Sequence, residues 1–247
     1  MNEDGVDFTH AKGPEGCRIH AIGDVHGRFD LLEKMHAQIR AELSVDPPAD
    51  WRIIHLGDYV DRGPQSRSVL DFLIKAQEHD SRVSSLLGNH DVGFLEFLAL
   101  AEPYGIFAMN GGNRTALSYG VTIDFGDPDS VDAGFVALNR VVPQAHVDFL
   151  KRLPLSATHG DFFFCHAGIR PGVPLNKQNP TDLIWIRHDF LDDPRLHPKV
   201  IVHGHTPVST AEIMPNRIDI DTGAFHTGVL TALVIDGDKK RLIEVRG

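Results

Sequence analysis

Residues 19–27 of the chain read Ile19-His20-Ala21-Ile22-Gly23-Asp24-Val25-His26-Gly27. A short, mostly apolar run passes here into two polar side chains enclosed by glycines. The run predicts a buried strand, and glycine allows the backbone to turn sharply where that strand ends. Open α/β sheets bind ligands at the carboxyl ends of their strands, so we expect Asp24 and His26 to lie in a binding site.

Two more strings repeat this arrangement further along the chain. Gly57-Asp58-Tyr59-Val60-Asp61-Arg62-Gly63 follows an apolar run at 51–56, and Gly88-Asn89-His90-Asp91 follows another at 83–87. Aspartate, asparagine and histidine supply oxygen and nitrogen ligands suited to Mn, Fe or Zn. Because the ends of neighbouring strands gather at one edge of a sheet, the three strings together predict a site for two metal ions and a phosphate.

The remaining sequence predicts the elements around this site. Apolar residues recur at helical spacing over 29–43, 66–78, 92–100 and 145–153. Between 103 and 143 two turn clusters weaken the pattern, which indicates an irregular helical insertion; whether it acts as a lid stays open. Further strands are predicted at 162–165, 200–202, 217–221, 229–236 and 239–245. We therefore expect a single α/β domain over residues 17–247 behind a polar tail over 1–16.

Composition narrows the classes of protein that fit. The 247 residues are 42% hydrophobic and 23% charged, as in an ordinary globular protein. The chain lacks an apolar run as long as a membrane span, and its N-terminus does not resemble a secretory signal, so we expect a cytoplasmic protein. The net charge of −10 includes no Lys/Arg run, which argues against a nucleic-acid partner. Cys17 and Cys165 lack the spacing of a zinc site or disulfide framework and predict buried or half-buried thiols.

Two later strings complete a set of five. His166-Ala167-Gly168 and His203-Gly204-His205-Thr206-Pro207 each follow a predicted strand. In this order the five strings resemble the calcineurin-like metallophosphoesterase superfamily, and the long second string resembles its bacterial and phage serine/threonine phosphoprotein phosphatases. The resemblance runs from Ile19 onward and also includes Asn110-Gly111-Gly112, Trp185-Ile186-Arg187 and Asp221-Thr222-Gly223-Ala224. It implies an α/β/β/α sandwich of two mixed β-sheets flanked by helices.

The resemblance also implies a role for each ligand. Asp24 and His26 would bind the first metal, Asp58 would bridge both, and Asn89, His166 and His205 would complete the second. A carboxylate suits the bridging position because its oxygens can serve two cations, and a hydroxide between the metals would attack phosphorus. The implied cofactors are two divalent or transition metal ions, with Mn expected first and Fe or Zn as alternatives.

Four further residues receive roles from the same comparison. His90 would protonate the leaving group as general acid, with Asp61 orienting its ring. Arg62 would hold the phosphate through its planar set of donors, which suits phosphate oxygens. Arg187 would be the second phosphate-binding arginine, although the nearby Arg170 is a rival for that role.

Simpler explanations compete at each position. Asp24 and Asp58 alone would be explained as helix N-caps, and Arg62 as half of a structural ion pair. Most of the 15 histidines are expected to be surface or packing residues. An N-cap, however, explains one aspartate and not five strings in order, so we favour the metal site.

These residues predict a dinuclear metal-dependent phosphomonoester hydrolase, first of all a serine/threonine protein phosphatase. The alternative is a hydrolase related to diadenosine tetraphosphatases or acting on another small phosphate, and the sequence does not separate the two. A nuclease is disfavoured by the acidic charge and by Pro207, and a silent metal-binding scaffold by the complete ligand set. The expected partner is thus a phosphoprotein or a small phosphorylated substrate, neither a nucleic acid nor a membrane, with the oligomeric state left open.

Overall fold

Two five-stranded β-sheets face each other in the computed structural model, which describes residues 5–247. In spatial order, the first sheet contains β10 (Lys239–Arg246), β9 (Val229–Asp236), β1 (Cys17–Ile22), β2 (Asp50–His55) and β3 (Val83–Ser85). The second contains β4 (Ser156–His159), β5 (Phe162–Cys165), β6 (Val200–His203), β8 (Arg217–Asp219) and β7 (Glu212–Ile213). Both sheets mix parallel and antiparallel pairs, as predicted.

Alternating side chains build the core between the two sheets. Ile19 of β1 and Phe162 and Phe164 of β5 are buried there, whereas Ile22 and Phe163 belong to clusters on the outer faces. This alternation follows from the two-residue period of a strand. Full burial of each such side chain contributes roughly 1.5–3 kcal/mol relative to exposure, so the apolar runs hold the sheets face to face.

Helices cover the outer faces and one end of the sandwich. They are α1 (Phe29–Val45), α2 (Ser66–His79), α3 (Asn89–Ala99), α4 (Ile106–Met109), α5 (Gly112–Ser118), α6 (Pro128–Val141), α7 (Gln144–Lys151), α8 (Pro180–Trp185), α9 (His188–Leu191) and α10 (Ala224–Thr227). α1 packs Leu31, Met35 and Ile39 into the outer cluster of the first sheet. Leu183 and Phe190, from α8 and α9, do the same for the second sheet. Helices therefore cover the outer faces of both sheets, and the strand ends are left for the site.

Several elements differ from their predicted form. α3 begins at Asn89 rather than at residue 92, so two predicted site residues occupy its first turn. The segment 103–143 is more regular than predicted, since it contains α4, α5 and the 14-residue α6. The edge strands β4 and β7 were not predicted because their sequences are short and largely polar, and β8 ends at Asp219 rather than at residue 221.

The predicted polar tail is attached to the domain over its described part, although its first four residues lie outside the described range. The backbone N–H of Val6 donates to the carbonyl of His197 at 2.8 Å, and Ala11 is fully buried. Cys17 and Cys165 are both buried and unpaired, as predicted. Across residues 5–247, no helix combines the length and apolar character needed to cross a bilayer.

Candidate metal centre

Backbone strain in the described part of the chain is concentrated at the strand ends. Among residues 5–247, the non-glycine residues with positive φ are His26 (42°), Asp58 (55°), Asp61 (69°), Arg62 (66°) and His205 (68°). Left-handed backbone costs an L-residue roughly 1–2 kcal/mol, and such strain persists where surrounding structure imposes it. All five are residues that the sequence analysis assigned to the site. The fold therefore tolerates a loss of stability at the positions where the backbone orients these side chains.

The carboxylate of Asp58 lies at the centre of the cluster. Its Oδ2 is 3.4 Å from Nε2 of His26, and its Oδ1 is 3.4 Å from Nε2 of His166. Two groups of potential ligand atoms share it, one with His26 and His90 and one with His166 and His205, each spanning less than 4.8 Å. One buried carboxylate common to two ligand groups is the arrangement that two adjacent cations require.

Hydrogen bonds to backbone carbonyls fix the tautomers of two histidines. Nδ1 of His26 donates to the carbonyl of Val60 at 2.8 Å, and Nδ1 of His166 donates to the carbonyl of Leu56 at 3.0 Å. Burial lowers the pKa of His26 to about 3 and also lowers the pKa of His166. Both rings are therefore neutral at pH 7, with the Nε2 lone pair directed toward Asp58, which is the usual state of a metal-binding histidine.

Potential ligand atoms crowd together on the side of Asp58 that faces His166. The side-chain oxygen of Asn89 is 2.9 Å from Nε2 of His166 and 2.9 Å from Nδ1 of His205. Because the proton of His166 is on Nδ1, two lone pairs face each other across the first of these distances. A cation among these atoms removes that repulsion, so the residues fit a bound metal ion.

Two buried carboxylates beside the cluster carry unpaired oxygens. Among the described residues, Oδ1 of Asp24 and Oδ2 of Asp221 have no hydrogen-bond partner. Burial, followed by the charges of Asp221 and Asp58, raises the pKa of Asp24 well above its usual value. An unsatisfied buried acceptor costs about 1–3 kcal/mol, and a divalent cation would compensate both oxygens. These buried carboxylates thus fit a bound metal ion, as do the atoms around Asn89.

His90 differs from the predicted ligand histidines His26 and His166 in the direction of its pKa shift. Its Nδ1 donates to Oδ2 of Asp61 at 2.8 Å. Burial alone would lower the pKa of His90, but the charge of Asp58 and the hydrogen bond to Asp61 outweigh it and raise the pKa. Asp61 is held in turn by Thr115, whose hydroxyl donates to Oδ1 at 2.9 Å and accepts the Asp61 backbone N–H at 2.7 Å. The arrangement favours an oriented ring that carries a proton.

Two arginines stand on opposite sides of the ligand cluster. Nη1 and Nη2 of Arg62 lie 3.0 Å from Nε2 of His26 and 3.1 Å from Nε2 of His90. Nε of Arg187 donates to Nε2 of His205 at 3.1 Å. Arg62 has no carboxylate partner within the described residues, in contrast to the ion-pair explanation raised from sequence.

The structure also separates Arg187 from its rival. Arg170 forms ion pairs with Asp182 at 2.8 Å and with Asp189. Its guanidinium is therefore engaged by two carboxylates and, within the described residues, makes no hydrogen bond to the predicted ligand histidines. Arg187, in contrast, contacts His205. Of the two arginines, Arg187 is the one that the fold brings to the site.

Sequence reasoning assigned no role to three residues that shape the site. Asp91, in the third string, accepts the backbone N–H groups of Asp58 and Gly88 at 2.9 and 3.0 Å and so joins the second string to the third. Asp221 stands in the quoted string after β8, and Thr115 had no sequence signal because its partner Asp61 is 54 residues away. Gly88 is required here, since a Cβ would lie 2.2 Å from Oδ1 of Asp58.

Comparison with known proteins agrees with this geometry. The family model described as calcineurin-like phosphoesterase matches residues 17–227. The asymmetrical bis(5′-nucleosyl)-tetraphosphatase PrpE of Anoxybacillus flavithermus is 27% identical over 241 residues, covering 86% of this chain and 88% of the relative. The protein of the same name from Bacillus thuringiensis is 26% identical over 231 residues, with the same coverage of both chains.

Solved structures show the same fold. The crystal structure of a putative diadenosine tetraphosphatase superposes with a TM-score of 0.66 at 19% identity, covering 96% of this chain and 99% of the other. A cold-active protein tyrosine phosphatase superposes with a TM-score of 0.60 at 16% identity, covering 97% of this chain and 80% of the other. Both support the two-sheet sandwich described above.

Proposed function

Because the chain belongs to the calcineurin-like phosphoesterase family, we propose that it is a metal-dependent phosphohydrolase that cleaves dinucleoside polyphosphates asymmetrically. The observation that carries the hydrolase assignment is the Asp58 carboxylate shared by two buried ligand groups. The substrate class is supported by the relatives that are named as asymmetrical tetraphosphatases and cover most of this chain.

Two divalent metal ions have a defined place in this proposal. Asp24, His26 and Asp58 would hold one ion, and Asp58, Asn89, His166 and His205 would hold the other. When bound, such ions lower the pKa of water to generate a nucleophile and neutralise charge on phosphate oxygens. The mixed oxygen and nitrogen donors suit Mn, which we propose as the metal, and also Fe or Zn.

The two arginines position the phosphate. Arg62 contacts His26 and His90 and Arg187 contacts His205, and within residues 5–247 neither guanidinium is engaged by a carboxylate. Planar, bidentate donors of this kind bind phosphate oxygens and stabilise the charge that they carry in the transition state. Both side chains thus hold the reacting phosphate against the buried ligands.

His90 supplies a proton to the leaving oxygen. Since Nδ1 donates to Asp61, the proton that can be transferred is on Nε2. Once this proton has left, the Nε2 lone pair can accept the hydrogen bond from Nη2 of Arg62, which lies 3.1 Å away. The same arginine therefore stabilises the neutral imidazole that remains after transfer.

A serine/threonine protein phosphatase is the second candidate, and the pair His90 and Asp61 favours it. A serine or threonine alkoxide is a poor leaving group and depends on an acid, whereas a phosphate leaving group needs little protonation. A well-oriented acid is thus more valuable for phosphoprotein hydrolysis than for cleavage of a polyphosphate.

Product analysis separates the two candidates. Metal-depleted protein would be reconstituted with Mn, Fe, Zn or Mg and incubated with diadenosine tetraphosphate, with phosphoserine and phosphothreonine peptides, and with an aryl phosphate. Equal amounts of ATP and AMP from the dinucleotide support the proposal. Phosphate release from the peptides without dinucleotide cleavage supports the second candidate, and inactivity on every substrate with every metal contradicts both.

A further inference from the structure

Two aromatic side chains flank the ligand cluster at opposite ends. The Phe225 ring meets the His26 ring edge to face, with centroids 5.6 Å apart, and the Trp185 ring meets the His205 ring in the same way at 5.9 Å. His26 faces Oδ2 of Asp58, whereas His205 belongs to the ligand group on the other side. The two aromatic rings therefore contact histidines of different ligand groups.

Each aromatic ring is paired with one of the two arginines. The guanidinium carbon of Arg62 lies 4.8 Å from the centroid of the Phe225 ring. Arg187 follows Trp185 by two residues, and both side chains contact His205. Each end of the centre thus presents a phosphate-binding guanidinium beside a flat apolar surface.

Trp185 is unusually open for a tryptophan, with 41% of its surface exposed. The other tryptophan, Trp51, is covered by the guanidinium of Arg82 at 4.1 Å. Phe225 is half-buried, and the guanidinium of Arg62 lies over its ring. Large aromatic surfaces left open beside a polar site are characteristic of ligand binding.

We propose that Trp185 and Phe225 are stacking platforms for the two nucleobases of a dinucleoside polyphosphate, one on each side of Asp58. This inference rests on the proposed function and extends it to the choice of substrate. A nucleotide joins a phosphate to a flat base through one sugar, which matches an arginine beside an aromatic ring. A phosphoserine peptide offers no fixed ring at that position. The base joined to the reacting phosphate would stack on one ring, and the second base, at the far end of the polyphosphate, would stack on the other.

The test compares ligands that differ only in the base. Inhibition constants of AMP and ribose 5-phosphate would be measured on the full, Mn-loaded chain, with p-nitrophenyl phosphate as reporter substrate. Base stacking predicts that AMP binds about tenfold more tightly than ribose 5-phosphate. In Trp185→Leu this ratio should fall at least about threefold, and in the double variant with Phe225→Leu it should approach one.

Two further variants control for indirect effects. Trp185→Phe keeps a flat ring and should restore most of the preference for AMP. Tyr104→Leu removes an aromatic ring that is 85% exposed and lines a separate depression with Pro103 and Phe125, so the ratio should not change. Metal content would be measured for each variant, because both aromatic rings touch predicted ligands.

Equal binding of AMP and ribose 5-phosphate to the wild-type chain would overturn the stacking proposal. An unchanged ratio in Trp185→Leu and in Phe225→Leu, each measured singly, would do the same. The proposed function fails separately, when the wild-type chain cleaves the aryl phosphate but not diadenosine tetraphosphate. In that case the ratio still decides base stacking, because the reporter substrate does not depend on dinucleotide cleavage.

Discussion

Replacing His90 by asparagine separates the role of a proton donor from the role of the metal ligands. Asparagine retains a polar group near Asp61 but cannot transfer a proton at neutral pH. Loss of a general acid lowers turnover roughly 10² to 10⁴-fold when the leaving group needs protonation, which is about 3–5 kcal/mol of transition-state free energy. The full effect is expected for phosphoserine peptides, whose leaving alkoxide is nearly as basic as hydroxide.

The expected loss is much smaller for diadenosine tetraphosphate. A departing phosphate has a second pKa of about 6, so it leaves as a stable anion with little help from an acid. We expect its turnover to fall less than about tenfold in His90→Asn. Burial favours the neutral ring, but the charge of Asp58 and the hydrogen bond to Asp61 outweigh that effect and raise the pKa of His90, which favours the protonated ring in the assay buffer.

The assay compares turnover on both substrates at pH 6.5 in Mn-loaded wild type and His90→Asn, with metal content measured for each. His203→Asn is a matched control, because His203 is similarly buried, belongs to the fifth string and lacks contact with Asp58 or Asp61 within the described residues. The control should leave the ratio of the two turnover numbers unchanged. Equal losses on both substrates in His90→Asn would refute the general-acid role.

Three other substitutions test the supports of the site and of the core. Thr115→Val removes the hydroxyl that forms two hydrogen bonds with Asp61. In urea denaturation it should lower the free energy of unfolding by about 2 kcal/mol. A decrease of less than about 0.5 kcal/mol would contradict this role of Thr115. Gly111→Ala adds a Cβ at φ 97° only 2.8 Å from the backbone nitrogen of Arg62, so inhibition by inorganic phosphate should weaken about tenfold; unchanged affinity would argue against Arg62 as a phosphate ligand. Burial lowers the pKa of His36 to about 2, so below pH 6.5 the unfolded state binds a proton that the folded state does not. Stability should therefore fall on acidification from pH 6.5 toward pH 5, by up to about 1.4 kcal/mol per pH unit from this group, and His36→Leu should reduce that slope.

The fold followed from the sequence where apolar runs were short and bounded by glycine. The outward and inward faces of β1 and β5 reflect the alternation of their side chains, and the helices α1 and α2 match their apolar spacing. The regular helix α6 was not predicted, because the turn cluster before it dominated the pattern of apolar residues. Its start is defined by the Asp127 carboxylate, which caps the N–H of Asp129 next to Pro128, a local signal that the apolar spacing does not contain.

The site was predictable to the extent that its chemistry is local in sequence. Asp24, Asp58 and Asn89 each stand directly after the glycine that turns the loop, so the strings themselves reveal them. The hydrogen bonds of Thr115 and the placement of Phe225 over Arg62 depend on segments that are far apart in the chain. No residue pattern encodes such contacts, and they emerge only when the two sheets and the helices that cover them are packed.

Metal titration tests the central claim most directly. Chelator-treated protein would be titrated with Mn by calorimetry, and bound metal would be counted independently by elemental analysis. We predict two ions per wild-type chain, one ion in His166→Ala, and weakened binding of both ions in Asp58→Asn, because that carboxylate is common to both groups. A wild-type chain that binds one ion or none, or an Asp58→Asn variant that binds two ions with unchanged affinity, would contradict a shared two-metal centre.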